Sequence, residues 1–152
     1  MKIRRYISYM FLVAWCLVIF HLSSQTSSVS GSNSLNVLKY ILGGLSSDVL
    51  INMNSMFREF MHSGVFFILG ILTYLSFKRS FTKVFVYSLL FCALYALSDE
   101  IHQLFVSGRA FQIIDLVLDF IGSLVGICLV IFIERLFKHD WFTFECITWY
   151  WL

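Results

Sequence analysis

Four apolar segments, each bounded by polar residues, dominate the chain. Their uninterrupted runs and helical periodicity predict membrane-spanning helices over roughly residues 6–22, 59–77, 84–105 and 111–137. A spanning helix needs about 20 apolar residues to cross a hydrocarbon core about 30 Å thick, and these segments approach or exceed that length. The pattern therefore predicts an all-α fold, an integral membrane four-helix bundle that forms a single domain over residues 1–152.

The first apolar segment allows two interpretations, a cleaved signal peptide or a retained helix. It opens with Lys2, Arg4 and Arg5 and then carries no charge from Tyr6 to Phe20. A signal peptide requires small residues at its cleavage site, whereas residues 21–25 read His-Leu-Ser-Ser-Gln. We therefore predict a retained spanning helix.

Residues 23–57 form the only long polar stretch. The serine-rich part, residues 23–34, lacks the apolar surface needed to offset the entropy of ordering and predicts a flexible loop. Beyond it, apolar residues recur at helical spacing on both sides of Gly43 and Gly44. These repeats predict short amphipathic helices, either lying at the membrane interface or packed on the bundle. The residues concerned are Leu35, Leu38, Leu42 and Leu45, followed by Met53, Met56, Phe57 and Phe60.

Composition supports the membrane assignment. The chain is 59% hydrophobic and only 13% charged, and its mean hydropathy is +0.83, values too apolar for a soluble domain. The net charge of +2, without a basic stripe, argues against nucleic acid as a partner. The aromatic residues of the segment 139–152 predict an interfacial tail.

The polar residues best suited to binding or catalysis are concentrated in residues 98–126. Ionisable groups at a membrane edge are costly, so they indicate function unless structure explains them. Helical spacing places Asp99, His102 and Gln103 on one side of the third spanning helix, with Glu100 turned partly away. Further members are Arg109 in the connecting turn, Asp115 and Asp119 on the fourth spanning helix, and His62 on the second.

Two glycines share a helix face with two of these carboxylates. Asp115, Asp119, Gly122 and Gly126 are spaced four, three and four residues apart, so they lie along one side of the fourth spanning helix. Glycines allow a neighbouring backbone to approach closely, which predicts helix packing at Gly122 and Gly126. The aspartates must then face protein or a wet cavity.

The distribution of basic residues predicts the orientation. Of the eleven lysines and arginines, eight fall on one side of a four-helix topology and three on the other. Both termini are then cytoplasmic, and the carboxylate cluster and serine-rich loop face the exterior. The eight are Lys2, Arg4, Arg5, Lys78, Arg79, Lys83, Arg135 and Lys138, and the three are Lys39, Arg58 and Arg109.

The polar residues also carry a resemblance to a family. The run Asp99, Glu100, His102 and Gln103, a turn with Gly108, and then Arg109, Asp115, Asp119, Gly122 and Gly126 resembles the signature of the VanZ-like family. Weaker similarities occur in residues 20–34 and in Arg58, His62, Phe66 and Gly70. The chain departs from the family pattern at Glu59, Val65 and Ser107, where a basic residue, a glutamate and a proline are frequent.

The resemblance implies a bacterial cytoplasmic membrane protein that lowers susceptibility to glycopeptide antibiotics of the teicoplanin type. It names no reaction, so three interpretations of the cluster remain. In the first, Arg109 bridges Asp115 and one acid of the third spanning helix, and this network only fixes packing. In the second, the same groups line an outward pocket for a lipid-linked cell-wall precursor or a glycopeptide. Alternatively, His and carboxylates hold a metal and activate water for hydrolysis.

The residue spacing gives the enzymatic interpretation little support. There is no His-Glu-x-x-His motif and only a single Asp-x-x-His. We therefore expect no metal ligands and no cofactor, and a role in binding or shielding at the outer membrane face, with membrane lipids as partners. For His62 alone, helix packing and ligand binding both remain open.

Overall fold

The computed structural model describes the backbone of residues 2–78 and 83–149 and the side chains of residues 6–78 and 83–137. This part of the chain is helical, with short connections and no strand. The all-α prediction is therefore confirmed. The helices are α1 (Lys2–Ser23), α2 (Ser27–Ile41), α3 (Ser47–Phe77), α4 (Val84–Gln103) and α5 (Ile113–Trp149).

Four of these helices, α1, α3, α4 and α5, are long and apolar enough to cross a membrane. Their outward faces carry large apolar side chains, for example Met10, which is 70% exposed, and Phe132, which is 59% exposed. Water would penalise so much apolar surface, whereas lipid tails accept it. The inward faces meet in a core that includes Ile19, Phe66, Leu69 and Ile127.

Helix α3 is the centre of the bundle, because it packs against each of the other four helices and most extensively against α5. Its 31 residues span about 46 Å at 1.5 Å per residue, more than the hydrocarbon thickness. The first turns of α3 therefore extend beyond the four-helix core, and α2 packs there.

The prediction of a flexible serine-rich loop is wrong, because residues 27–41 form α2. Asn54 of α3 fastens this helix by donating to the carbonyl oxygen of Gly31 at 3.0 Å and accepting from the Ser34 hydroxyl at 2.7 Å. Leu38 is 3% exposed. The serine-rich composition did not predict α2, because this helix is stabilised by its contacts with α3 rather than by its own helix propensity.

Two helix boundaries differ from the sequence prediction. The second predicted interfacial helix is the beginning of α3, which starts at Ser47 instead of near Glu59 and continues without a break into the spanning segment. Helix α5 starts at Ile113, close to the expected residue 111, and continues past 137 to Trp149. The predicted aromatic tail, residues 139–152, lies outside the residues whose side chains are described.

The two ends of the bundle differ in chemistry. At one end, the last turns of α1 and α4 meet the beginning of α5 and the middle of α3, and the carboxylates gather there. At the other end, Ser76 donates to the carbonyl oxygen of Ser8 at 3.0 Å, and Lys78 pairs with Glu134. We call the first the polar end.

Candidate functional site

Three helices bring together the innermost polar group at the polar end. His62 of α3 places Nδ1 3.3 Å from Oδ1 of Asp119 on α5, and Nε2 3.9 Å from Oδ2 of Asp99 on α4. Asp119 is fully buried and Asp99 is 4% exposed. The imidazole therefore lies between two buried carboxylates, and we call these three residues the triad.

Asp99 is held in place by neutral donors. The Ser23 hydroxyl donates to Oδ2 of Asp99 at 2.8 Å, and the Gln103 amide donates to the same oxygen at 2.9 Å. Ser23 ends α1, so this bond fastens α1 to α4.

Arg109 does not form the carboxylate bridge considered in the packing interpretation. Its Nη1 donates to Oε1 of Gln103 at 3.0 Å, and its Nε donates to the carbonyl oxygen of Gln25 at 3.1 Å. Within the described side chains, none of its nitrogens lies within 4.0 Å of a carboxylate oxygen. Arg109 thus orients Gln103, and through it Asp99, instead of neutralising Asp115.

Glu100 and Asp115 lie near the start of α5 and outside the triad. Oε2 of Glu100 accepts from the backbone N–H of Gln112 at 3.0 Å, one residue before α5 begins. Oδ2 of Asp115 accepts from the Gln112 side chain at 3.3 Å. Carboxylates are favourable near a helix N-terminus, where unpaired N–H groups point outward. Both residues therefore have a structural role in fixing the α4–α5 connection.

His102 lies apart from the triad although the sequence placed it with Asp99. Its ring stacks on Phe20 with centroids 4.4 Å apart, and Nε2 lies 3.1 Å from the Ser24 hydroxyl. Both partners belong to the end of α1 or the residue after it. The side chain thus packs between α4 and α1.

The two predicted packing glycines and a third, Gly70, lie where α3 crosses α5. A Cβ on Gly122 would overlap the backbone of Ser63, one on Gly126 would overlap that of Phe67, and one on Gly70 would overlap that of Ser123. The Ser63 hydroxyl also donates to the carbonyl oxygen of Leu118 at 3.0 Å. This close crossing of α3 and α5 places Asp119 next to His62.

A cavity of about 460 Å³ opens beside the triad, enclosed by α1, α2, α3 and the α4–α5 connection. Its wall contains two arginines, Arg58 and Arg109, together with His62, Glu59 and Asp115. Burial, and then the nearby charge of Arg58, lowers the pKa of the Arg109 guanidinium from its ordinary value. Neither guanidinium has a carboxylate oxygen within 4.0 Å among the described residues.

A comparison with family models shows to which protein family the chain belongs. The model described as VanZ/LLP1 matches residues 7–134, which include all of α3 and α4, most of the spanning segments of α1 and α5, and every residue of the triad and cavity. The chain belongs to the VanZ/LLP1 family. No curated protein matches it, and no solved structure does.

In this VanZ/LLP1 chain, the triad is the group of described residues that could hold a metal ion. One ligand atom from each of His62, Asp99 and Asp119 lies within 4.8 Å of the other two. The sequence predicts no metal ligands, because no paired ligand motif lies on one helix. Here the three side chains come from three helices, so no local spacing reveals them.

The sequence did not identify several residues that contact the polar cluster or line the cavity. Ser23 and Gln25 were assigned to a flexible segment, yet both contact the polar cluster. The sequence placed Arg58 and Arg109 on the same side without pairing them, and the structure shows that both line the cavity. One signal was available: Arg58 and His62 are four residues apart, so they share a face of α3.

Proposed function

We propose that this VanZ-like membrane protein lowers susceptibility to glycopeptide antibiotics of the teicoplanin type by binding a lipid-linked cell-wall precursor in the cavity. The anionic head group of the precursor is the ligand, and occupancy shields it from the antibiotic. The family membership supports the class of function. The single observation that supports the ligand is the pair of guanidiniums in the cavity wall, Arg58 and Arg109, neither of them paired with a carboxylate among the described residues.

The chemistry of arginine favours a phosphate-bearing ligand. Guanidinium presents several donors in a planar fork that fits phosphate oxygens, and such charge-assisted bonds are stronger than neutral ones. Glu59 and Asp115 in the same wall add acceptors for sugar hydroxyl groups or amides of the head group. A cavity of about 460 Å³ falls in the range of small-molecule sites, roughly 300 to 1,000 Å³.

The proposed location is a bacterial cytoplasmic membrane with both termini inside. The excess of Lys and Arg at the end of the bundle opposite the cavity supports this orientation. The cavity then opens at the outer face, where lipid-linked precursors meet an antibiotic.

The experiment compares three proteins expressed at equal membrane levels in one teicoplanin-susceptible strain. The wild type protects, and we expect Arg58→Gln with Arg109→Gln to lose protection. Lys39→Gln is the matched control, because Lys39 is an exposed cation on the same side of the protein that does not line the cavity. If the double variant protected cells as well as the wild type does, Arg58 and Arg109 would have no part in the mechanism.

A binding measurement completes the test. Purified protein in detergent is titrated with a polyprenyl diphosphate, and thermal unfolding is recorded. Ligand that binds the folded state raises the unfolding temperature. We expect a saturable rise for the wild type and for Lys39→Gln, and none for the double arginine variant. Equal shifts in all three would assign the effect to non-specific detergent or lipid interactions.

A second candidate function is hydrolysis of the same lipid-linked precursor by a metal-activated water. One observation favours it: His62 belongs both to the cavity wall and to the triad. Incubation of the purified protein with a labelled precursor separates the two candidates. Release of a soluble head group would support hydrolysis, and recovery of intact precursor would support binding alone.

A further inference from the structure

We propose that His62, Asp99 and Asp119 bind a divalent transition-metal ion, such as Zn²⁺ or Mn²⁺. This inference goes beyond the proposed binding function and is independent of it, because the triad is complete without any ligand in the cavity, whereas the second candidate, hydrolysis, requires this ion. The ligand set of one imidazole and two carboxylates suits such ions, whereas an all-oxygen set would favour Mg²⁺ or Ca²⁺.

The three side chains of the triad lie close enough together for one ion to reach an atom of each. Bonds from zinc to nitrogen or oxygen are about 2.1 Å long, so two ligands of one ion lie roughly 3 to 4 Å apart. Nδ1 of His62 lies 3.3 Å from Oδ1 of Asp119, and Nε2 lies 3.9 Å from Oδ2 of Asp99. These two distances involve different ring nitrogens, and one ion binds only one of them. One ligand atom from each of the three residues lies within 4.8 Å of the other two, so the side chains must move inward by up to about 1 Å to share an ion.

The second observation is an unsatisfied atom. Asp119 is fully buried, and its Oδ2 has no hydrogen-bond partner. Burying a polar oxygen without a partner is costly, and an ionised carboxylate costs much more. Among the described residues, no lysine or arginine nitrogen lies within 4.0 Å of Asp119 or Asp99. A divalent ion balances both carboxylates and gives Oδ2 a partner.

The surroundings of the triad are those of a supported metal site. Ser23 and Gln103 both donate to Asp99, and Arg109 fixes the Gln103 amide by donating to its oxygen. Such second-layer hydrogen bonds hold metal ligands in position. The His62 side chain is 26% exposed and lines the cavity. An ion therefore has an entry path, and three protein ligands leave one coordination position open toward the cavity.

The test measures metal in the full-length protein. The chain is purified in detergent without chelators, using an affinity tag that contains no histidine, and dialysed after incubation with Zn²⁺ or Mn²⁺. Mass spectrometry of the metals then gives the content per chain. We expect about one equivalent in the wild type, with affinity at least about tenfold lower in Asp119→Asn and His62→Gln, since even the partners of metal ligands contribute about 10- to 100-fold.

Two matched controls remove the same side-chain types outside the triad. His102→Gln removes a histidine that packs on Phe20, and Asp48→Asn removes a carboxylate from the first turn of α3. Both should retain the metal of the wild type. Equal metal content in Asp119→Asn and the wild type would overturn the proposal, and so would loss of the metal in both controls.

A measurement on the wild type alone covers the case in which Asp119→Asn does not fold. Protein stripped with a chelator is titrated with Co²⁺, and visible absorption and thermal unfolding are followed together. Both signals should saturate at one equivalent, because binding to the folded state raises the unfolding temperature. Wild-type protein that shows neither signal contains no such site. Neither measurement uses an antibiotic or a precursor, so failure here excludes metal-dependent hydrolysis and leaves the proposed binding function to its own test.

Discussion

Gly122 lies directly against the backbone of Ser63, and a Cβ at Gly122 would overlap the Ser63 carbonyl oxygen. His62 precedes Ser63, and Asp119 lies one turn before Gly122. This close contact between α3 and α5 therefore sets the 3.3 Å separation of His62 and Asp119. A packing feature of two helices thus determines the geometry of the polar site.

The first prediction concerns this contact. Gly122→Ala should destabilise the protein by about 1 to 3 kcal/mol, because added volume in a tight contact forces the helices apart. Gly64→Ala is the control, since a Cβ there meets nothing within 4 Å, and the exchange should be neutral or stabilising by up to about 1 kcal/mol. Thermal unfolding in detergent measures both. Unchanged stability of Gly122→Ala would mean that the two helices do not cross closely at this glycine.

The second prediction concerns the attachment of α2. Asn54→Ala removes two hydrogen bonds to α2, worth about 1 kcal/mol each. We expect faster amide hydrogen exchange over residues 27–41 and little change in the spanning part of α3. Asn36→Ala is the control, because Asn36 is an exposed residue of α2 itself. If exchange in α2 is equally fast in the wild type, Asn54 does not hold this helix.

The third prediction concerns Gln103, which donates to Asp99 and accepts from Arg109. Gln103→Leu leaves Arg109 and the buried Asp99 with fewer partners, and we expect destabilisation on the order of 2 to 3 kcal/mol. The matched exchange Gln112→Leu alters an exposed side chain with one long hydrogen bond and should change stability by about 0.5 kcal/mol at most. Similar losses in both variants would argue that the Gln103 bonds contribute nothing specific.

The fourth prediction separates the two histidines of the polar end. His62 lines the cavity, whereas His102 stacks on Phe20 outside it. At equal membrane levels, His62→Gln should abolish protection against teicoplanin, and His102→Gln should retain most of it. The measurement is antibiotic susceptibility in one strain. Loss of protection in His102→Gln at normal protein levels would return His102 to the site predicted from the sequence.

The fifth prediction concerns orientation in the membrane. Because basic residues divide eight to three between the two sides, reporters fused within residues 78–83 or after residue 138 should read as cytoplasmic. A reporter at residue 30 should read as external. A cytoplasmic signal at residue 30 would place the cavity on the wrong side for the proposed ligand.

Much of the fold was predictable because lipid imposes a simple rule on each segment. A stretch must be apolar and long enough to span, so the four spanning helices could be read from local sequence. The spacing of Gly122 and Gly126 identified the face on which α5 meets a partner, because helical periodicity is also local. What this spacing did not supply was the partner, the backbone of α3 at Ser63 and Phe67.

The sequence predicted which residues belong to the site but not which of them contact one another. The sequence placed His62, Asp99 and Asp119 near one membrane face, yet it grouped them with His102 and considered Arg109 as the counter-ion of Asp115. The structure instead pairs Arg109 with Gln103, and His102 with α1. Likewise, the sequence did not predict α2, because this helix is held in place by its hydrogen bonds to Asn54.

The sequence by itself thus determined which segments span and which residue types collect at one end of the bundle. The tertiary structure decided which carboxylates meet His62, which stay at the start of α5, and what Arg109 holds. The physical reason is that spanning depends on the hydropathy of one segment, whereas a side-chain pair depends on the rotation and depth of two helices together. His62 and Asp119 are 57 residues apart in the chain, and only the packing of α3 on α5 brings them into contact.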